Sequence, residues 1–484
     1  MSTVLWLLLI IGAALLLKAY LADRQQTAHT LLRNYPLLGR ARYKLEHLGI
    51  YLRQYFFAMD REEMPFNRAQ RSWVYRAAKN LDNTVAFGST KNATVPGTVR
   101  FLNAPFARLD EDCQASPPLR FGPYCRQPYE AQGFFHMSGM SYGALSDVAI
   151  RALGLGAAKA GCWINTGEGG LAPIHLESGA DIVFQLGTAK YGVRTASGAL
   201  DEDKLLTLAQ HRQVKMFEIK LSQGAKPGKG GVLPGAKVTP AIARVRGIPE
   251  GQDSLSPNRH REITDVPSCL DFLARVREIT GKPTGLKFVL GSEAWLTTLC
   301  EEIHRRGMES APDFLTLDSG DGGTGAAPMA LLDDVGLLLR DSLPLVDNTL
   351  RAAGLRDRVR VIASGKLVTP TDVAFALCLG ADICVTARGF MFSLGCIQAL
   401  QCNQNTCPTG ITTHDPRLQR GLVPSDKAER VVHYHHNLVK EVEHLAHACG
   451  LPDARAFQRQ HASVVQPNGV PVNVSALYPL PEGA

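Results

Sequence analysis

The sequence predicts an α/β protein: a (β/α)8 barrel of the TIM class, with an N-terminal transmembrane helix and helical extensions at both ends of the barrel. Three observations carry this expectation. From about Gly133, short apolar or β-branched runs end in glycine-rich loops and alternate with amphipathic helical stretches. Eight such strand candidates fall within about 260 residues, the number and span of a barrel. The structural alternative, a doubly wound open sheet, lacks support, since no G-x-G-x-x-G is followed by an acidic residue some twenty positions on.

Taken in order, the first element is the span. "VLWLLLIIGAALLL" (Val4 to Leu17) is uncharged, and only Lys18 interrupts the apolar character that continues through "KAYLA". Residues 3–22 supply about the 20 positions needed to cross a bilayer core. "MST" lacks a basic leader and no A-x-A site follows, which favours a retained anchor over a cleaved signal peptide. Arg24, Arg33, Arg40, Arg42 and Lys44 outnumber Asp23 and Glu46 downstream. The positive-inside rule therefore predicts a single-pass protein of the inner (cytoplasmic) membrane with its catalytic body in the cytoplasm.

Residues 23–130 are expected to form a basic helical and loop extension. To about Asn80, Arg alternates with Leu, Tyr and Phe at helical spacing, which fits membrane-surface helices and helices packed on the main domain equally well. Residues 81–130 are rich in Pro, Gly and Asn and suit a loop or short-strand connector. The barrel occupies 131–415. Its strands are expected in "GFFHM", "CWIN", "DIVFQL", "KMFEIK", "PTGLKFV", "DFLTLD", "RVRVIAS" and "ADICVT", with clear helices at Ser292–Arg306 and Pro370–Leu379. Residues 416–484 form a C-terminal helical extension and tail. Its helix carries His433, His435, His436, His444 and His447 on both faces without carboxylate or thiol partners, a pattern of surface or packing histidines rather than ligands.

Composition narrows the function. Of 484 residues, 45% are hydrophobic and 20% charged, enough to bury a sizeable core. The net charge is +7, but no Lys/Arg run with interleaved aromatics points to nucleic acid. Eleven cysteines in a cytoplasm-facing body argue against a disulfide framework. Eight are scattered, mostly as small core residues. Cys396, Cys402 and Cys407 are instead packed into "CIQALQCNQNTCPTG". Zinc would want a fourth ligand and closer C-x2-C pairs, and a disulfide would leave an odd thiol. C-x5-C-x4-C followed by Pro408 suits an iron–sulfur cluster with one corner not bound by cysteine.

Barrel chemistry lies in the loops after the strands. "IASGK" and "VTARG" close the last two units, and Gly365, Lys366, Ala387 and Arg388 offer free backbone N–H groups and positive charge where barrels commonly bind phosphate. A phosphate held there suits a flat phosphorylated cofactor such as FMN. "MSGMSYGALS", with Met140 and Ser141, offers backbone and hydroxyl contacts to the ring, and Lys287 in "GLKFV" aims an ammonium at the barrel axis, where it would stabilise an anionic reduced flavin. "KLSQGAKPGKGGVLPG" is glycine-rich without P-loop order. Lys220 and Lys226, with Arg246 downstream, are suited to clamp a dicarboxylate. "NTGEGG" sets Glu168 in a glycine-flanked loop.

Together "MSYGALS", "NTGEGG", "KLSQGAKPGKGG-LPG-KVT", "DGGTGAAP" and C-x5-C-x4-C-P resemble the FMN-binding synthase domain of the glutamate synthase family, in order, from about residue 133 to 415. The resemblance implies FMN, a three-iron (3Fe–4S) cluster on Cys396, Cys402 and Cys407, and reduction of 2-iminoglutarate, formed from 2-oxoglutarate and ammonia, to L-glutamate. It places the FMN phosphate at Gly365, Lys366, Ala387 and Arg388, and other cofactor contacts at Met140, Ser141, Lys287, Gly322 and Gly323. It places the keto acid and the catalytic groups at Lys220, Gln223, Lys226 and Arg246, with Glu168 in the mobile loop beside the flavin. Val232 stands where the family usually carries a Gln that touches the keto acid, which implies altered carboxylate recognition. No glutaminase domain precedes the barrel, so ammonia is expected from solution or a partner, and electrons from a separate protein. Two other functions compete: a membrane-tethered amino-acid or hydroxy-acid dehydrogenase that passes electrons through the cluster to a membrane carrier, and a non-catalytic barrel subunit.

Overall fold

The structure is a computed structural model that describes residues 3–483 and divides into two compact units, Met1–Ser72 and Trp73–Ala484. In the first unit, the apolar run forms helix α1 (Thr3–Gln25), long and apolar enough to cross a membrane and with Asp23 as its one buried residue. Helix α2 (Leu38–Leu52) follows and runs into a π-helical turn, Arg53–Phe57.

The second unit holds the eight expected strands, all parallel: β1 (Phe135–Met137), β2 (Ile164–Asn165), β3 (Ile182–Leu186), β4 (Val214–Lys220), β5 (Thr284–Val289), β6 (Phe314–Asp318), β7 (Arg360–Ser364) and β8 (Ile383–Thr386). The ladder runs β2-β3-β4-β5-β6-β7-β8-β1. It closes between β1 and β2 through the N–H groups of Met137 and Met140, which donate to the carbonyls of Trp163 and Asn165 at 3.3 Å each. This is a nearly closed barrel, as the sequence predicts. Strands buried on both faces read as continuous apolar runs, which is why "DIVFQL" and "DFLTLD" carry so little alternation.

The barrel interior is layered. At the N-terminal end a hairpin of Leu119–Phe121 and Tyr129–Ala131 plugs the barrel. Its Phe121 packs edge-on against Trp163 and Phe314, with ring centroids at 6.2 and 5.8 Å. Above this apolar layer lies one buried carboxylate. Glu218 accepts from Asn165 Nδ2 at 2.8 Å, Gln185 Nε2 at 2.7 Å and Thr316 Oγ1 at 2.6 Å, so four strands are tied to a single charge. Satisfied in this way, a buried polar group specifies the core instead of destabilising it.

Helix α3 (Asp147–Ala160) starts where the Ser146 hydroxyl accepts from the Ala149 N–H and stops at Gly161, whose φ of 72° suits a glycine C-cap. The short helix α4 (Arg388–Ser393) follows β8, and helix α5 (Pro424–Ala448) crosses α3 closely. Histidine on α5 is used for packing: His435 is half-buried with its Nε2 3.0 Å from the Phe135 carbonyl. The connector 81–130 holds short strands and one 3-10 turn, Asp110–Asp112; its strand Val99–Phe101 pairs antiparallel with Ala462–Val465 from the C-terminal segment.

The crossing of α3 and α5 depends on Gly156, where an added Cβ would lie 2.4 Å from Val431 Cγ1 and 3.0 Å from the Ala428 carbonyl. Helix propensity alone would make Gly156→Ala stabilising by up to about 1 kcal/mol. The backbone contact removes room for adjustment, so overpacking is expected to win, with a net loss of roughly 1–3 kcal/mol. A melting temperature for Gly156→Ala at or above that of the unaltered protein would contradict this packing.

Candidate functional site at the barrel mouth

The C-terminal strand ends and the loops after them gather three groups of side chains. The first is at the floor of the mouth. Lys287, the fourth residue of β5, is buried, and its ammonium lies 3.5 Å from Ser138 Oγ and 3.7 Å from Asp318 Oδ2. Both contacts are longer than an ordinary charge-assisted hydrogen bond. A buried cation with only two long contacts among the described residues fits a further anionic or carbonyl oxygen, such as a flavin ring edge. Asp318 also accepts from the Gly224 N–H at 3.0 Å, which draws the lysine-rich loop onto the mouth. Ser138 in turn lies 3.4 Å from Ser364 at the end of β7.

After β7, Gly365 and Lys366 have φ of 128° and 53°, two successive residues in the positive-φ region. Such backbone is sparsely populated for lysine and clusters at ligand loops. Lys366 pairs with Asp321 at 2.8 Å. After β8, Ala387 and Arg388 open the short helix α4 (Arg388–Ser393), where the first N–H groups have no intrahelical acceptor. Gly323 lies against Arg388: a Cβ there would stand 2.9 Å from Nε. Gly322 donates its N–H to Ser319 O at 2.9 Å and turns the loop back on itself. Met140 and Ser141 follow β1, with Gly167 packed against the Ser141 N–H so closely that a Cβ would lie 2.6 Å from it.

The second group is ionic. Lys220, at the end of β4, donates to Glu168 Oε2 at 3.1 Å and also to Gln223 Oε1. These residues line a narrow cleft together with Thr188, Lys229 and Asn258. Burial alone would raise the Glu168 carboxyl, but the charges of Lys220, Lys226 and Arg246 outweigh it and hold Glu168 below the usual glutamate range. Lys226 bonds the Ala326 carbonyl at 3.1 Å, and burial lowers its ammonium. Arg246 is set back from the cleft. It donates to Ser254 Oγ and to the Tyr142 carbonyl, both at 3.0 Å, and stacks on Tyr191 at 4.9 Å. Its contribution at this distance is charge. Val232 pairs with Leu255 in a two-stranded ribbon and is 41% exposed.

The third group is the thiols. Burial pushes the Cys396 thiol up to about 11. Burial raises Cys407 as well, but hydrogen bonds from Thr409 and Thr412 prevail and bring it below its ordinary value. Two cations face this loop. Arg388 reaches Cys402 Sγ at 3.7 Å and the Thr324 carbonyl at 2.6 Å. Lys237, buried, donates to the carbonyls of Ala144, Cys402 and Thr412 at 2.8, 3.2 and 2.9 Å. Burial lowers its ammonium to about 8. The donor chemistry and the flanking positive charge suit an iron–sulfur cluster. Among the described residues, however, no three His, Cys, Asp or Glu side chains converge as a ready-made ligand set.

Sequence reasoning missed Asp318 and Lys237. Asp318 is the last residue of β6, so its position at a strand end was the available signal. Lys237 lies within the motif "LPGAKVT", but nothing local marks it as a partner of a loop more than 160 positions on.

Comparison with known proteins agrees with this geometry. A family model described as the conserved region in glutamate synthase matches residues 107–452. A glutamate synthase large subunit-like protein of Bacillus subtilis is 37% identical over 497 residues, which is 95% of this chain and 94% of that protein. An archaeal glutamate synthase [NADPH] of Archaeoglobus fulgidus is 34% identical over 309 residues, 63% of this chain and 56% of its own length. The chain thus spans nearly all of the first relative and little more than half of the second.

Breaking this half-buried pair should be costly, because Lys220→Met leaves Glu168 without its direct partner. With Lys226 and Arg246 still in range, the loss is expected at the lower end of roughly 3–5 kcal/mol. A depressed carboxyl stabilises the fold above its unfolded value, near 4.5, and loses that contribution as pH falls through the folded value. Denaturation of both proteins should therefore show a full difference at pH 7 that narrows only below about pH 4.5. A difference that is constant down to pH 3 would mean Glu168 is not the group involved.

Proposed function

Because the chain belongs to the glutamate synthase family, we propose that it is a flavin- and iron–sulfur-dependent oxidoreductase of glutamate synthase type, acting on CH–NH2 groups. It reduces 2-iminoglutarate, from 2-oxoglutarate and ammonia, or a related imino acid, to an L-amino acid. The observation that carries this reading is the pairing of a buried, under-coordinated Lys287 with the Glu168–Lys220–Gln223 group on the same rim.

FMN, when bound, supplies the hydride that reduces the imine carbon. Lys366, Arg388 and the backbone of Gly365 and Ala387 would hold its phosphate, Lys287 the electron-rich edge of its ring, and Met140, Ser141, Gly322 and Gly323 its surroundings. Lys220 and Lys226 present ammonium groups to the carboxylates of the acid, and Gln223 presents an amide. Arg246 reinforces that field from behind. Glu168, kept ionised, accepts a hydrogen bond from the substrate nitrogen and orients it. The loop from Cys396 to Cys407 would hold a 3Fe–4S cluster on three thiolates, with Arg388 and Lys237 offsetting its negative charge. A separate protein exchanges electrons with it. Helix α1 anchors the chain in the inner membrane, with the catalytic body on the cytoplasmic side that its basic flank selects.

One feature, the apolar α1, favours a second reading: oxidation of an amino or hydroxy acid with electrons delivered to a membrane carrier.

Purified protein is expected to show flavin absorbance and bound iron, and Cys402→Ser to lose the iron. Under anaerobic conditions the reduced flavin should be reoxidised by 2-oxoglutarate plus ammonium. Reduction by L-glutamate coupled to a quinone, without that reoxidation, would select the second reading, and absence of flavin would end both. Val232→Gln tested alongside reports on the acid. A charge-assisted contact is worth about 1.5–3 kcal/mol, so Lys287→Met should weaken binding of reduced relative to oxidised FMN by about tenfold or more. Equal loss for both forms would remove Lys287 from that role.

A further inference from the structure

Helix α2 leaves its apolar side uncovered. At helical periodicity Leu38, Ala41, Leu45, Leu48 and Leu52 share one stripe. Leu38 is 75% exposed, Leu45 64% and Leu48 48%, and Gly39 is the helix's one buried residue. The turn after it continues the pattern, with Tyr55, Phe56 and Phe57 all exposed and Phe56 at 76%. A fifteen-residue helix with so little burial is marginal in water and needs a surface against which to form.

Two observations identify that surface. The first is the joint with α1. Asp23, 3% exposed at the end of the apolar helix, holds Arg40 in a two-pronged pair, Nε to Oδ2 and Nη2 to Oδ1 both at 2.7 Å. The same carboxylate accepts from the Leu37 N–H at 3.0 Å. The first turn of α2 is thereby fixed to the last turns of α1. If α1 spans, α2 begins at the depth where the bilayer meets water. The second is charge. Six Lys or Arg (Arg24, Arg33, Arg40, Arg42, Lys44, Arg53) stand against Asp23 and Glu46 between residues 23 and 57. An apolar stripe flanked by basic residues is complementary to an anionic lipid surface.

We propose that α2 and the turn Arg53–Phe57 lie in the interfacial plane of an anionic bilayer, apolar stripe inward, as a second membrane-binding surface beside the span. This rests on the reading of α1 as a membrane helix. It makes the joint at Asp23 and Arg40 the element that sets where the chain leaves the lipid.

The test is amide hydrogen exchange on the full chain in nanodiscs of phosphatidylcholine with about 30% phosphatidylglycerol. Leu45→Glu/Leu48→Glu/Phe56→Glu in the full chain is the comparison. Amides of residues 38–57 are expected to exchange at least about tenfold faster in the triple variant, while α1 stays protected in both. The unaltered protein should also exchange faster there in discs of phosphatidylcholine alone. Equal rates at 38–57 with α1 protected would overturn the proposal and leave the anchor standing. An unprotected α1 would remove the anchor and the proposal together. Protection at 38–57 that follows protein concentration and not lipid would show that a second copy covers the stripe, which also overturns it.

Discussion

The half-buried contact between Glu168 and Lys220 is what the barrel mouth is built around. Glu168 comes from the loop after β2 and Lys220 from the end of β4, so the pair spans the intervening β3 unit. A carboxylate in that position is tolerated because three cations act on it, and those cations are tolerated because the carboxylate is ionised. Neither sign of charge would be stable there alone. The backbone has closed tightly on the pair. A Cβ at Gly187 would lie 2.7 Å from Glu168 Cβ, and one at Gly231 would lie 2.3 Å from its Oε1. The glycines of "FQLG" and "KGG" are therefore steric conditions for the ionic contact, and the loops that carry them converge on it.

A similar economy links the loops after β6 and β8 to the thiols. Arg388 opens α4, packs on Gly323 and ends between the Thr324 carbonyl and Cys402 Sγ. One side chain thus joins the loop after β6, the loop after β8 and the cysteine segment. Lys237 does the equivalent from the other side by gathering three carbonyls, one of them that of Cys402. The cysteine segment is thus held between two basic side chains, which would offset the negative charge of the proposed cluster.

Much of this was legible before any coordinates. The eight strand segments were found because each is a short β-branched or apolar run closed by glycine. The basic, glycine-containing loops after the seventh and eighth strands are visible in "IASGK" and "VTARG". Lys287, Glu168 and Lys220 were singled out from strand ends and glycine-flanked loops, and the structure brings all three to one mouth. Arg246 was legible as a cation but not as one set back from the cleft, since its stacking on Tyr191 and its bonds to Tyr142 and Ser254 join segments far apart in sequence. Val232, at the family's Gln position, lies in a ribbon paired with Leu255, a pairing that spacing along the chain does not show.

The sequence by itself determined the periodic alternation that makes a barrel, the apolar N-terminal helix, the cysteine spacing and the glycines that permit close approach, because each is a local property of composition and order. The tertiary structure alone decided which charges meet. Asp318 became the partner of Lys287, Lys237 the support of the cysteine loop, and Asp23 the lock on Arg40, because Coulomb energy and burial depend on distance in space and on exclusion of water. Neither quantity is written in spacing along the chain.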